Sequence, residues 1–252
     1  MAITGKTILI TGASSGLGHA LALSLSHGNN NLVVTARREG LLQELAKQVE
    51  ANGSRCTPVA ADAIDPHACE AVIRAGLDAY ERIDVAILNA GGGKPVHMAE
   101  VDAATVLHTM RVNYDTFVNF LCPMIAHMRD MGGTIAHTGS PAGFFGLPKS
   151  GPYSAAKAAG RILLDTCRIE VANRKIDFVA LYPGFTETPG LDPDDVPIKA
   201  LVIQPERAVK EMLRAIERGT SHRMFPKRIA WLMTLARLMP EWLRRRVLGA
   251  AA

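Results

Sequence analysis

Short β-branched runs separated by longer segments of helical period restrict the fold of this 252-residue chain more than any other feature. KTILIT (6–11), NLVVTA (31–36), RCTPVAA (55–61), DVAILNA (84–90), GTIAHTG (133–139) and KIDFVALYP (175–183) read as buried strands, several of them nearly continuous in apolar residues. Runs of that kind belong to parallel strands covered on both faces, because a strand with one wet face alternates. Helical patterns occupy 17–28, 38–51, 66–80, 101–130, 153–173 and 205–218, and a seventh strand candidate, HRMFP, lies at 222–226. Repeated strand–helix alternation predicts an α/β fold, a single doubly wound parallel sheet of about seven strands with helices on both faces. Residues 186–204, with four prolines or glycines, read as a loop. No repeat or linker divides the chain, so residues 1–252 are expected to form one domain.

Hydrophobic residues make up 48% and charged residues 21%, so a sizeable core can be buried and disorder is excluded. The net charge of +4 is uneven. Seven Lys or Arg and one acid lie between His222 and Arg246, a local +6 that leaves −2 for the remainder. A nucleic-acid protein more often spreads base over a whole binding face, so no nucleic-acid partner is expected. Cys56, Cys69, Cys122 and Cys167 have no metal-binding spacing and are expected to be buried free thiols, which suits a cytoplasmic protein; no metal is expected. The first strand candidate begins by Lys6, and no signal peptide is expected before it. The run Ile229–Met239 is broken by Arg237 and falls far short of the roughly 20 residues that span a bilayer.

The first strand runs into TGASSGLG (11–18), where Gly12, Gly16 and Gly18 open a helix. A phosphate needs close backbone approach and free N–H groups there, and a Cβ obstructs both. The strand before, the helix after and the βαβ continuation together point to a dinucleotide and a Rossmann-type sheet. Far downstream, Tyr153 and Lys157 stand four residues apart in YSAAK, so on a helix both side chains share a face. A nearby cation favours phenolate, and a lowered tyrosine pKa is the expectation.

With these motifs the chain resembles the short-chain dehydrogenases/reductases, in the branch of single-domain enzymes of about this length. The resemblance covers residues 4 to about 220. It rests on TGASSGLG, Asp62 after the third strand, NAG (89–91), Asn113, Ser140, YSAAK (153–157) and PGFTET (183–188), all in order. It implies a catalytic set of Asn113, Ser140, Tyr153 and Lys157. Ser140 would hydrogen-bond the substrate oxygen, Tyr153 would transfer the proton, and Lys157 would tune it and hold the nicotinamide ribose. Asn113, locally unfavourable in mid-helix, would mark a helix irregularity holding a water linked to the lysine. The cofactor would touch Gly12, Ser14, Ser15, Gly16, Leu17, Gly18, Asp62, Ala63, Asn89, Ala90, Gly91, Tyr153, Lys157, Pro183, Gly184, Thr186 and Thr188. Thr186 departs mildly from an apolar β-branched preference, NAGGGKP carries two extra glycines, and Pro152 directly precedes the tyrosine.

Ala36 ends the second strand where the family's NAD-dependent members carry an acid, and Arg37 and Arg38 follow. A guanidinium grips a 2′-phosphate that a carboxylate would repel, so NADP(H) is expected over NAD(H), with Arg37 the main clamp and Arg38 or Ser15 assisting. The implied activity is interconversion of a ketone or aldehyde with its alcohol. A dinucleotide-sensing regulator without turnover is the alternative, and non-redox chemistry on the same scaffold is a third reading.

The substrate wall is placed at 93–98, 141–151 and 185–204. Ser140, Tyr153, Phe144 and Phe145 are the named contacts, with a lean towards a lipophilic substrate. The long helices 101–130 and 153–173 pair across a two-fold axis in the family, so a homodimer or homotetramer is expected. Residues 227–252 read as a basic amphipathic helical extension split at Pro240. It is open to four readings: a lid, a dimer contact, a peripheral membrane contact, or packing on the protein's own body.

Overall fold

The computed structural model describes residues 3–192, 196 and 199–249. Its seven strands are β1 (Thr7–Thr11), β2 (Asn31–Ala36), β3 (Arg55–Ala60), β4 (Val85–Leu88), β5 (Gly133–Thr138), β6 (Ile176–Pro183) and β7 (His222–Phe225). All pair in parallel, in the order β3-β2-β1-β4-β5-β6-β7. The order reverses between β1 and β4, and a doubly wound sheet opens a crevice at the carboxyl ends of the strands at such a point.

The helices are α1 (Gly16–Leu25), α2 (Glu39–Ala51), α3 (Pro66–Tyr80), α4 (Ala103–Met110), α5 (Thr116–Met128), α6 (Gly151–Glu170), α7 (Pro205–Glu217), α8 (Lys227–Leu238) and α9 (Glu241–Gly249). Side chains alternate across the pleat and so build two cores. Ile8 and Ile10 of β1 pack with Leu21 and Leu25 of α1, Leu42 and Leu45 of α2, and Val209 and Met212 of α7. Leu9, between them, packs with Val72 of α3, Phe117 and Phe120 of α5, and Leu164 of α6 on the other face. The continuous apolar strands of the sequence are thereby explained: each residue faces one covered layer or the other.

Three expectations change in detail. Residues 101–130 do not form one helix. A π-helical stretch, Arg111–Asp115, joins α4 to α5 and centres on Asn113, whose side chain bonds to backbone instead of leaving the ladder alone. β3 lies at the sheet edge and is mostly half-buried. Of the thiols, all free, only Cys69 and Cys167 are buried; Cys56 sits half-exposed on that edge strand, and Cys122 is exposed on α5. The loop expected at 186–204 and the extension at 227–252 lie partly outside the described residues, at 193–195, 197–198 and 250–252.

Candidate active site

The β1–α1 turn is closed so tightly that its glycines are irreplaceable. Gly12 has φ +70°, and a Cβ there would stand 2.9 Å from the Ala90 Cα. A Cβ on Gly18 would stand 2.3 Å from the Gly12 carbonyl oxygen. Ser14, Ser15, Gly16 and Leu17 span the turn and the first turn of α1. No side chain caps that helix, and no acid lies in its first turn, so its N-terminal N–H groups and dipole remain available to an anion. These features fit a dinucleotide pyrophosphate.

Arg38, the residue before α2, reaches back across this turn. Its Nε and Nη2 donate to Ser14 Oγ at 3.1 and 2.8 Å, and Nη2 donates to Ser15 Oγ at 2.7 Å. Arg37 is exposed beside it. The guanidinium over the glycine-rich turn is therefore that of Arg38, the arginine expected from sequence to assist Arg37. The helix start leaves Arg38 aimed at the turn, and the order of the two arginines in the chain carries no such information.

Across the crevice, buried Thr11 accepts both the Asn89 and Ala90 N–H groups on Oγ1, each at 2.9 Å. Asp62 closes a local turn by accepting the Ile64 N–H at 3.1 Å. Asn119 of α5 donates to the Ala63 and Ile64 carbonyls at 3.0 Å each. Thr11 and Asn119 are supporting residues that sequence reasoning missed. Thr11 was visible as the first letter of the glycine motif, whereas Asn119 belongs to no motif. After β6, Pro183 leads to Gly184, whose N–H donates to the Phe225 carbonyl at 2.8 Å. The hydroxyl of buried Thr186 turns back to the Gly184 carbonyl at 3.2 Å. Thr188 lies against Gly16, 3.4 Å from the place of a Cβ there, so both halves of the expected cofactor set border one crevice.

The reacting side is built by β5, α6 and the π stretch. Ser140 follows β5 and accepts the Ala142 N–H on Oγ at 3.2 Å, while its hydroxyl also hydrogen-bonds with Tyr153. Tyr153 and Lys157 sit one turn apart on α6, near whose start Pro152 is accommodated. Lys157 is buried and donates from Nζ to the Thr138 carbonyl at 3.0 Å; Nζ lies 5.6 Å from the Tyr153 ring centroid. Asn113 is spent on the loop after β4, accepting the Gly92 N–H at 2.9 Å and donating to the Gly92 carbonyl at 2.6 Å. A Cβ on Gly91 would meet Asn113 Oδ1 at 2.8 Å and Lys157 Nζ at 3.3 Å. Asn113, Gly91 and Lys157 thus form one contiguous group.

The electrostatics differ from the expectation in one respect. Burial pushes the Tyr153 phenol up, and the hydrogen bond from Ser140 opposes it only in part. The downward shift expected from the lysine is not found, because dehydration of the phenolate outweighs the help it receives. Burial also lowers Lys157 to about 8. His137 of β5, unnoticed in the sequence, is buried beside it with its ring 3.9 Å from that of Phe117. Neither ring nitrogen makes a well-formed hydrogen bond. Burial and then the Lys157 charge hold its pKa well below the usual histidine value.

Phe144 and Phe145 follow Ser140 in a short 3₁₀ turn and its exit. The Phe144 ring meets Tyr182 edge-on at 4.9 Å, with the Arg161 and Arg237 guanidiniums 4.9 and 5.4 Å from its centroid. Phe145 lies 5.8 Å from the Arg244 guanidinium. Phe144 is committed to these contacts, and Phe145 is the freer of the two.

A parallel sheet with a phosphate-sized turn at its switch point, a serine at an adjoining strand end and a tyrosine and lysine on the helix that follows describes a nicotinamide-dependent oxidoreductase class. The family model described as short chain dehydrogenase matches residues 6–195, and the chain belongs to that family, whose members act as oxidoreductases on CH–OH groups. An 11-beta-hydroxysteroid dehydrogenase of Pinus massoniana is 32% identical over 186 residues, 73% of this chain and 52% of that protein. The match therefore spans about half the length of that relative. An uncharacterized oxidoreductase of Myxococcus xanthus is 30% identical over 238 residues, 94% of this chain and 93% of its own. A short-chain dehydrogenase/reductase from Burkholderia phymatum, solved in complex with NAD, superposes with a TM-score of 0.85 at 22% identity and covers 94% of each chain, a likeness of fold.

Proposed function

We propose that this protein interconverts a ketone or aldehyde with its alcohol, using NADP(H) and a lipophilic substrate. The observation that carries the reading is the convergence of Ser140, Tyr153 and buried Lys157 beside the glycine-rich crevice. When bound, the nicotinamide supplies or accepts the hydride. Ser140, which hydrogen-bonds Tyr153 in this structure, turns its proton to the substrate oxygen once substrate is bound, which favours charge developing there. Tyr153, kept protonated by burial, passes its proton to that oxygen, so reduction is the direction its phenol serves at neutral pH. Lys157, anchored on the Thr138 carbonyl, has further N–H groups for the cofactor ribose. Asn113 positions Gly91 and Gly92 and supports the proton relay.

Preference for NADP(H) rests on this chain's own residues: Ala36 in place of an acid, and Arg38 held over Ser14 and Ser15, where a 2′-phosphate can take the place of the hydroxyls. The cofactor set is the crevice described above, from Gly12 to Gly18, with Asp62, Ala63, Asn89 to Gly91 and Pro183 to Thr188. Phe145, with Ser140 and Tyr153, borders the substrate. Ile162 and Ile169, exposed on α6, support pairing of copies through α5 and α6. Free thiols support a cytoplasmic setting, and among the described residues no helix is long and apolar enough to cross a membrane.

NADPH consumption across a panel of ketones tests the reading. The unaltered protein should turn over at least one class, and Tyr153→Phe should lose ~10²–10⁴-fold in rate while still binding NADPH. Tight binding of NADPH with no turnover on any ketone would instead support a sensor.

A further inference from the structure

Helices α8 and α9 follow β7 at the carboxyl edge of the sheet, beyond the residues that match the family model. One side of this pair is fixed. Ile229 is buried against Gly184, and Arg237 and Arg244 lie over Phe144 and Phe145. The other side is bare. Both tryptophans of the chain are on it, Trp231 at 63% and Trp242 at 67% exposure, with Leu238 and Val247 also exposed. An open apolar cleft of about 430 Å³ runs beside Trp231 and Leu232, with Lys227 and Arg228 among its walls.

Charge decides what can cover such a face. Residues 227–249 hold six Lys or Arg and one acid, a net +5; with Arg237 and Arg244 turned to the inner side, Lys227, Arg228, Arg245 and Arg246 against Glu241 leave the bare side +3. Packing on the protein's own body would bury the indoles, and they are not buried. A second copy meeting this face across a two-fold axis would set +3 against +3, which opposes association. The complementary surface is anionic and accepts exposed Trp and Leu. Indoles settle at the boundary between headgroups and acyl chains, and basic side chains beside them meet acidic headgroups.

We propose that the outer face of α8 and α9 docks this protein on an anionic lipid bilayer. Docking through this pair, whose inner side lies over Phe144 and Phe145, holds the site close to a bilayer in which lipophilic carbonyl compounds partition; this last clause rests on the reading of the site given above. The docking itself does not.

Because the only two tryptophans lie on the face, their emission reports contact directly. The full chain is mixed with phosphatidylcholine vesicles with and without phosphatidylglycerol, reading tryptophan emission and co-sedimentation. A blue shift and co-sedimentation are expected with phosphatidylglycerol alone, both lost at high salt. Arg245→Glu combined with Arg246→Glu, and separately Trp242→Ser, should weaken binding on the order of tenfold or more with NADPH turnover unchanged. Absence of both signals overturns the proposal, as does equal binding to pure phosphatidylcholine. Soluble polyglutamate bound as tightly as the vesicles would assign the face to an acidic protein. A change in sedimentation coefficient with Trp242→Ser would assign it to a second copy. All of these outcomes are read as binding, so loss of turnover through an error about Ser140 or Tyr153 leaves them intact.

Discussion

The amine of Lys157 answers to two opposing demands. Its proposed work needs a cation near the Tyr153 ring, yet its burial costs the folded chain, as the fall from 10.5 to about 8 records. The protonated amine is disfavoured in the fold, so that cost is complete below pH 8 and fades as pH rises from 8 towards the unfolded value. Lys157→Met should therefore raise stability at pH 7 by about 1–3 kcal/mol while removing turnover. Thermal unfolding followed at pH 7 and pH 10 checks it: the gain should shrink at the higher pH, and a variant that is less stable at both contradicts the account. Arg38 carries a separate consequence. Its charged hydrogen bonds to Ser14 and Ser15 stand where the proposed 2′-phosphate contact would form. Arg38→Ala should raise the KM for NADPH about 10–100-fold and leave that for NADH nearly unchanged, whereas Arg37→Ala should do much less. Equal losses with both cofactors would show that the arginine only shapes the turn.

Among the elements, β5 and the π stretch do the most positioning. β5 carries His137 one residue before the carbonyl that holds Lys157. An imidazole forced to stay neutral stabilises the fold above its unfolded pKa of about 6.5 and loses that contribution as pH falls through and below it. The melting temperature should accordingly drop on the acid side of neutrality, and His137→Leu should flatten that drop relative to the parent; parallel acid limbs would place the cause elsewhere. The same elements show how far the sequence could be read. β1 and β2 were plain in their apolar runs because both faces are covered. Asn113 was noticed as a misfit in a helix, but the period of apolar residues does not reveal the extra residue of a π turn, so 101–130 looked continuous. His137 lay hidden in a strand pattern, since nothing in IAHTG tells a buried imidazole from an exposed one. Which of two adjacent arginines reaches a turn 24 residues earlier depends on the entry angle of α2, a tertiary property. The upward shift of Tyr153 likewise depends on burial and not on the spacing to Lys157.

At the scale of the whole molecule, the sheet and its two covering layers account for nearly all the burial, and the extension lies outside them. The extension nevertheless has one firm foothold. Ile229 Cδ1 stands 2.2 Å from where a Cβ on Gly184 would be, so α8 is wedged into the start of the loop that borders the dinucleotide crevice. The two proposed occupancies, one inside the crevice and one on the outer rim, therefore share a point of packing. Whatever free energy the first lends to the second must be returned in equal measure, so a molecule loaded with its nucleotide and an empty one would grip the outer surface with unequal strength wherever that wedge shifts.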